Sequence, residues 1–129
     1  MKYVLTTLAT TALFLTTAAF AASPTFLITH NETNEESNAF IAELPSPHPT
    51  KANSVNKVEW NLVRFACWWH TVNDKCTAEV KMATDTSHPI SIGMVTLDLN
   101  TGLITPNHLS ANGYSLTVNG LGDTTITYE

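Results

Sequence analysis

The feature that most constrains the fold is the strict alternation of apolar and polar side chains in CTAEVKM (Cys76–Met82). The even-numbered positions carry Cys, Ala, Val and Met, whereas the odd-numbered positions carry Thr, Glu and Lys. Successive side chains of a β-strand point to opposite faces, so this pattern predicts a strand with one buried face. A helix would need apolar residues at three- and four-residue spacing, which this segment lacks.

Short segments rich in Thr, Val and Ile recur along the chain, and turn residues separate them. Asn100-Thr101-Gly102 and Asn119-Gly120 predict two hairpins, because Asn and Gly accept the backbone angles of tight turns. The sequence therefore predicts an all-β protein, a small antiparallel β-sandwich or barrel of about seven or eight short strands. We expect no long helix; a short helix near Asn38–Leu44 is the alternative to a strand there.

The first 21 residues are predicted to be a signal peptide. Lys2 precedes an uncharged, largely apolar run, and Ala19-Phe20-Ala21 supplies small residues at a cleavage site. A transmembrane anchor is the alternative, but threonines dilute the run and no basic flank follows it. Cleavage after Ala21 would leave one β-rich domain over residues 22–129, with a Pro-rich loop near residues 45–56.

Charge limits the partners. Losing Lys2 would move the formal net charge from −5 to −6. An acidic chain argues against nucleic acid and anionic membranes, since both require clustered Lys and Arg. No further apolar run is long enough to span a bilayer, so we expect a soluble periplasmic or extracellular product with no membrane span after cleavage.

The chain has two cysteines, Cys67 and Cys76, with eight residues between them. In an exported protein such a pair predicts a structural disulfide, here across a hairpin whose turn is Asn73-Asp74-Lys75. The alternative is a metal site in which Cys67 and His70 act together. Further ligands at motif spacing are lacking, so no metal and no cofactor are predicted.

The segment from Lys57 to Val72 begins with alternation, but the apolar positions change parity near Leu62–Val63. We interpret this segment as a strand that is either bulged or buried on both faces. Adjacent residues of a strand face opposite sides, so Trp68 and Trp69 are expected to diverge. The candidate ligand or partner surface comprises Trp60, Trp68, Trp69, His70 and Tyr114.

Catalytic residues are not predicted, because no hydrolase, metalloprotease or phosphate-binding motif occurs. The five histidines are scattered beside turn and proline signals. The polar stretch Asn31–Ser37 predicts a solvated loop, in which Asn31 begins a formal glycosylation sequon.

These observations favour an exported β-domain that binds or assembles with an unknown protein or carbohydrate partner and does not catalyse a reaction. The alternative is a small secreted hydrolase or hydrolase inhibitor that uses the His-bearing loops. An enzyme should bring two histidines, or a His–Asp pair, together in a concave pocket.

Overall fold

The computed structural model describes residues 23–129, so the predicted signal peptide lies outside the described residues. Two β-sheets face each other, and one short helix lies between two of the strands. The elements in chain order are β1 (Phe26–Asn31), β2 (Ser37–Ile41), β3 (Leu44–Pro45), β4 (Ser54–Glu59), α1 (Trp60–Ala66), β5 (Thr71–Val72), β6 (Lys75–Met82), β7 (Ile90–Asp98), β8 (Ile104–Thr105), β9 (His108–Ala111), β10 (Tyr114–Gly120) and β11 (Asp123–Tyr128). Eight strands have four or more residues, and the predicted sandwich is confirmed.

The first sheet has the strand order β4-β1-β11-β10-β9, and the second has the order β3-β2-β6-β7-β8, with β5 also pairing β6. All strand pairs are antiparallel except β1 with β11, which run parallel. The predicted alternation of β6 is confirmed, since Cys76, Ala78, Val80 and Met82 are all buried. Their buried face packs against the inner face of the first sheet, where Leu116 and Ile126 lie.

Local turn chemistry sets the strand connections. Asn73 and Asp74 both have positive φ, as a two-residue hairpin between β5 and β6 requires. The predicted turn at Gly102 is also present, with φ +84° and no room for a Cβ beside Pro24. The hairpin expected at Asn119-Gly120 forms, but β10 continues to Gly120 and the turn lies two residues later.

The prediction of a strand through residues 60–66 is wrong, because these residues form α1. Trp60, Val63 and Cys67 are buried, and their spacing of three and four residues places them on one face of a helix. The change of parity that indicated a bulge is therefore the point where a period of two gives way to a period of 3.6. The short helix considered near Asn38–Leu44 is absent, because β2, a turn and β3 occupy that segment.

The polar segment after β1 is packed, contrary to the predicted solvated loop. Asn31 is 1% exposed, and Thr33 and Ser37 are also buried. The Asn31 amide donates to the carbonyl of Glu35 at 2.7 Å, and its Oδ1 accepts from the Thr33 hydroxyl at 2.8 Å. The side chain of Asn31, the first residue of the sequon, is therefore buried and hydrogen-bonded within this loop.

Within residues 23–129, no helix has both the length and the apolar character needed to cross a membrane.

Candidate ligand-binding cleft

The space between the two sheets opens into a cleft of ≈ 620 Å³. Side chains from the inner faces of both sheets form its floor; most of them are aliphatic, and Thr29, Ser37 and Thr124 also line it. The floor residues are Leu27, Ala39, Ile41, Val58, Ala78, Val80, Val95, Leu97, Ile104, Leu116 and Ile126. The accessible part of this floor is formed by the partly buried Leu27, Ala39, Ile41 and Val58, whereas the deeper members are buried core residues.

The cleft lies beside two edge regions, β4 of the first sheet and β2–β3 of the second, which do not pair with each other. The Pro-rich loop, residues 46–53, connects β3 of the second sheet to β4 of the first. Asn38 of β2 donates its amide to the carbonyl of Ser46 at 2.8 Å, and Asn56 of β4 donates to the carbonyl of His48 at 3.1 Å. One asparagine from each sheet therefore fixes the loop across the gap.

On the helix side, four exposed apolar residues line the cleft: Leu62, Phe65, Trp68 and Trp69, which we call the aromatic rim. Phe65, Trp68 and Trp69 are 76%, 65% and 84% exposed. The indole rings of Trp68 and Trp69 meet edge to face with centroids 6.3 Å apart. The expectation that these rings diverge is wrong, because they lie in the turn after α1 and not on a strand.

A disulfide joins Cys67 to Cys76 directly beneath the aromatic rim. Both cysteines are fully buried, and the Cys67 N–H donates to the carbonyl of Val63 at 3.1 Å as the helix ends. The bond joins the residue that follows α1 to the second residue of β6. The predicted disulfide is therefore present, but Cys67 lies before β5 and not within the hairpin strand. The bond holds the segment that carries Trp68 and Trp69 against the second sheet.

The cleft carries no charged side chain, and His48, beside the loop, is its one titratable lining residue. Among the described residues, every buried side-chain nitrogen and oxygen has a hydrogen-bond partner. The amides of Asn38 and Asn56 are already engaged by the loop. The cleft therefore favours a ligand portion that needs no hydrogen bonds.

Two residues of the predicted surface are in the core. Trp60 is 3% exposed, and its indole N–H donates to the carbonyl of Leu99 at 3.0 Å. Tyr114 is 6% exposed, and its hydroxyl donates to the Glu35 carboxylate. That hydrogen bond, together with burial, raises the pKa of Tyr114 to about 12. Both rings pack because they lie on inward-facing positions, where a large apolar area stabilises the fold.

His70, which belongs to the predicted ligand or partner surface, is exposed and follows Trp69 in the turn. Its N–H donates to the carbonyl of Cys67 at 2.8 Å, which closes the turn. Cys67, the other ligand of the metal site considered from the sequence, forms the disulfide with Cys76. Residues 23–129 contain no group of three or more His, Cys, Asp or Glu side chains placed to hold a metal ion.

One His–Asp pair is present, on the outward face of the first sheet. His30 Nε2 lies 3.0 Å from Asp123 Oδ1, and both side chains are about one-third exposed. His30 borders a shallow depression of ≈ 220 Å³ that Ser54 also lines. The Ser54 hydroxyl donates to the carbonyl of Lys51 at 2.7 Å, so its proton is directed to the backbone and not to the imidazole.

Comparison with known proteins gives two similarities. The model of the family described as T2SS substrate NttC matches residues 1–129. The crystal structure of the Legionella pneumophila type II secretion system substrate NttC is 59% identical, with a TM-score of 0.82, and the match covers 83% of this chain and 100% of that one. A search of curated proteins returned no match.

Proposed function

The chain belongs to the NttC family of type II secretion system substrates, and from this premise we propose that it is a binding protein for an apolar, chain-like ligand. Membership in a family of secreted substrates makes it an exported protein, in agreement with the predicted localisation. The proposal concerns what the exported domain does, namely that it takes a hydrocarbon chain into the cleft and does not catalyse a reaction.

The observation that carries the proposal is the open, aliphatic interior of the sandwich. A volume of ≈ 620 Å³ falls within the range of about 300–1,000 Å³ that is typical of small-molecule sites. Protein interiors are normally packed without voids of this size, because unfilled apolar space forfeits dispersion contacts. A bound chain would make such contacts along the partly buried Leu27, Ile41 and Val58.

The lining favours a hydrocarbon over a sugar or a peptide. A sugar or peptide backbone lying along the aliphatic part of the floor would leave polar groups unpaired there, at about 1–3 kcal/mol for each group. A hydrocarbon loses nothing on entry and gains about 0.8 kcal/mol for each buried methylene. A polar head group would remain near His48 and the aromatic rim, where the cleft meets solvent.

A fluorescence titration tests the proposal. A dansyl-labelled undecanoic acid added to the mature protein should show a blue-shifted, enhanced emission with one saturable site. Ten buried methylenes contribute about 8 kcal/mol, which corresponds to about 1 µM before the cost of association, so we expect a Kd between about 1 µM and 1 mM. An unlabelled long-chain fatty acid should displace the probe.

The matched variants are Ala39→Trp and Thr77→Trp. Ala39 pairs with the inward-facing Val80 and lines the cleft, so a new indole there would fill the space. Thr77 lies on the neighbouring strand but is exposed on the outer face, so the same substitution leaves the cleft empty. Probe binding should fall at least about ten-fold in Ala39→Trp and stay unchanged in Thr77→Trp. Equal binding by both variants contradicts the cleft as the site.

The second candidate is hydrolysis, which the His30–Asp123 pair favours. A hydrolase would need a nucleophile within hydrogen-bond reach of His30, and the hydroxyl of Ser54 donates elsewhere. We therefore expect no turnover of ester or peptide substrates. Turnover by the mature protein that His30→Ala abolishes would establish this candidate instead.

A further inference from the structure

We propose that the aromatic rim, extended by Val72, docks the protein on an uncharged phospholipid surface, so that the cleft exchanges its chain directly with the lipid phase. This inference rests on the proposed function for the exchange step, but the docking itself can be tested without it. The occupant is a zwitterionic bilayer, and the following observations support that choice.

The rim has the composition of a membrane-interface anchor. Leu62, Phe65, Trp68, Trp69 and Val72 are all exposed. Trp and Phe side chains partition to the boundary between head groups and hydrocarbon, where an indole keeps its N–H near water. Exposed apolar residues that occur singly need no explanation, but these five lie within eleven residues of sequence and four of them line one opening.

Charge selects a neutral surface. Residues 60–72 contain no Asp or Glu, although the chain has eleven acidic residues. Arg64 is the one Lys or Arg in this segment, and its guanidinium donates to the Ser23 hydroxyl at 3.1 Å, so it is engaged within the protein. The rim therefore carries neither repulsive carboxylates nor the basic cluster that binding to anionic lipid requires.

The rim is also held outward. Buried Trp60 holds the N-terminal end of α1, and the Cys67–Cys76 disulfide holds the residue that follows its C-terminal end. The exposed rings therefore cannot enter the core unless these contacts are broken. Four of the five patch residues line the cleft as well. The apolar surface is thus continuous from the proposed bilayer contact to the floor of the cleft, and a chain could pass between them without crossing water.

The test uses the mature protein with phosphatidylcholine vesicles. We expect co-flotation with the vesicles and quenching of tryptophan fluorescence by bromine-labelled phosphatidylcholine. In the variant Trp68→Ser/Trp69→Ser the remaining indole is the buried Trp60, so both flotation and quenching should fall at least about ten-fold. The control Leu121→Ser removes an apolar side chain of 58% exposure from the β10–β11 turn and should leave both signals unchanged.

Several outcomes would overturn the docking proposal: no flotation of the wild type, equal flotation of the double variant, or flotation only with vesicles that contain phosphatidylserine. A rim-dependent dimer in sedimentation equilibrium without vesicle binding would also overturn it and assign the patch to a second copy of the chain. The dansyl probe in lipid-free buffer tests the cleft separately. Vesicle binding without probe binding supports docking while refuting the proposed function, and the reverse result refutes docking alone.

Discussion

Removing the disulfide should lower stability by an amount that follows from the loop it closes. Cys67 and Cys76 are nine positions apart, so the bond closes a loop of ten residues. In the chain-entropy model, constraining such a loop in the unfolded state stabilises the native state by about 2.7 kcal/mol. The loop begins directly after α1 and contains Trp68, Trp69 and β5, and this disulfide is the one covalent cross-link in it.

For a domain of this size the unfolding entropy is about 2.1 cal/mol/K per residue, so a loss of 2.7 kcal/mol corresponds to a fall in Tm of about 10 °C. Thermal and urea unfolding of Cys67→Ala/Cys76→Ala, followed by circular dichroism, measures the loss. Reduction of the wild type by dithiothreitol is the matched perturbation, since it opens the loop but keeps both side chains. The two treatments should agree to within about 1 kcal/mol.

A fall in stability smaller than about 0.5 kcal/mol in both experiments would refute the reasoning, because the loop would then be constrained without the bond. The unreduced protein should also show no thiol that reacts with a maleimide after unfolding. Labelling of both cysteines would mean that the bond does not form in solution.

Two further predictions concern buried polar groups. Asn31→Ala should lower the free energy of unfolding in urea by about 2–4 kcal/mol, since it leaves several backbone groups without their hydrogen-bond partner. The control Asn34→Ala, at an exposed position, should lower it by less than about 1 kcal/mol. Equal losses would contradict the buried network. Because the pKa of Tyr114 is raised to about 12, above its ordinary value of 10.0, its contribution to stability is present in full below pH 10.0 and is lost as the pH rises through about 12. Ultraviolet titration of the wild type against Tyr114→Phe should therefore show the Tyr114 phenol ionising near pH 12, and the variant should flatten the alkaline loss of stability; ionisation of Tyr114 at its ordinary pKa of 10.0 would contradict this assignment.

Much of the fold could be predicted because its determinants are local. The alternation in β6 specifies both the strand and its buried face, and the Asn73-Asp74 turn specifies where β5 ends and β6 begins. The two cysteines, nine positions apart in a chain predicted to be exported, indicated the disulfide. Each of these signals is contained within about ten residues of sequence.

The apolar–polar alternation that identifies β6 does not identify the helix α1. The helix spans seven residues, and its N-cap residue Glu59 makes no side-chain capping hydrogen bond, so the usual start signal is missing. Trp60, Val63 and Cys67 do follow a helical spacing, but three positions directly after an alternating strand also fit a bulge. The prediction that the rings of Trp68 and Trp69 point to opposite sides was wrong for the same reason. These residues lie in a turn after a helix, where neighbouring side chains do not alternate as they do in a strand.

The cleft depends on tertiary arrangement and has no local signature. It lies where β4 at the edge of one sheet and the short β3 at the edge of the other do not pair, which the order of strands in the sequence does not specify. The asparagines that fix the loop, Asn38 and Asn56, are individually indistinguishable from solvated residues in the sequence. Buried Trp60 and Tyr114 could not be separated from exposed aromatics, since either location is common for such rings.

Nuclear magnetic resonance of the mature protein with a carbon-13-labelled long-chain fatty acid tests the central claim most directly. Intermolecular nuclear Overhauser effects report which side chains lie within a few ångströms of the bound chain. The account predicts effects from the chain methylenes to the methyl groups of Leu27, Ile41 and Val58, the partly buried side chains of the cleft floor. Effects confined to the exposed rings of Trp68 and Trp69, or no effects at a saturating ligand concentration, would contradict it.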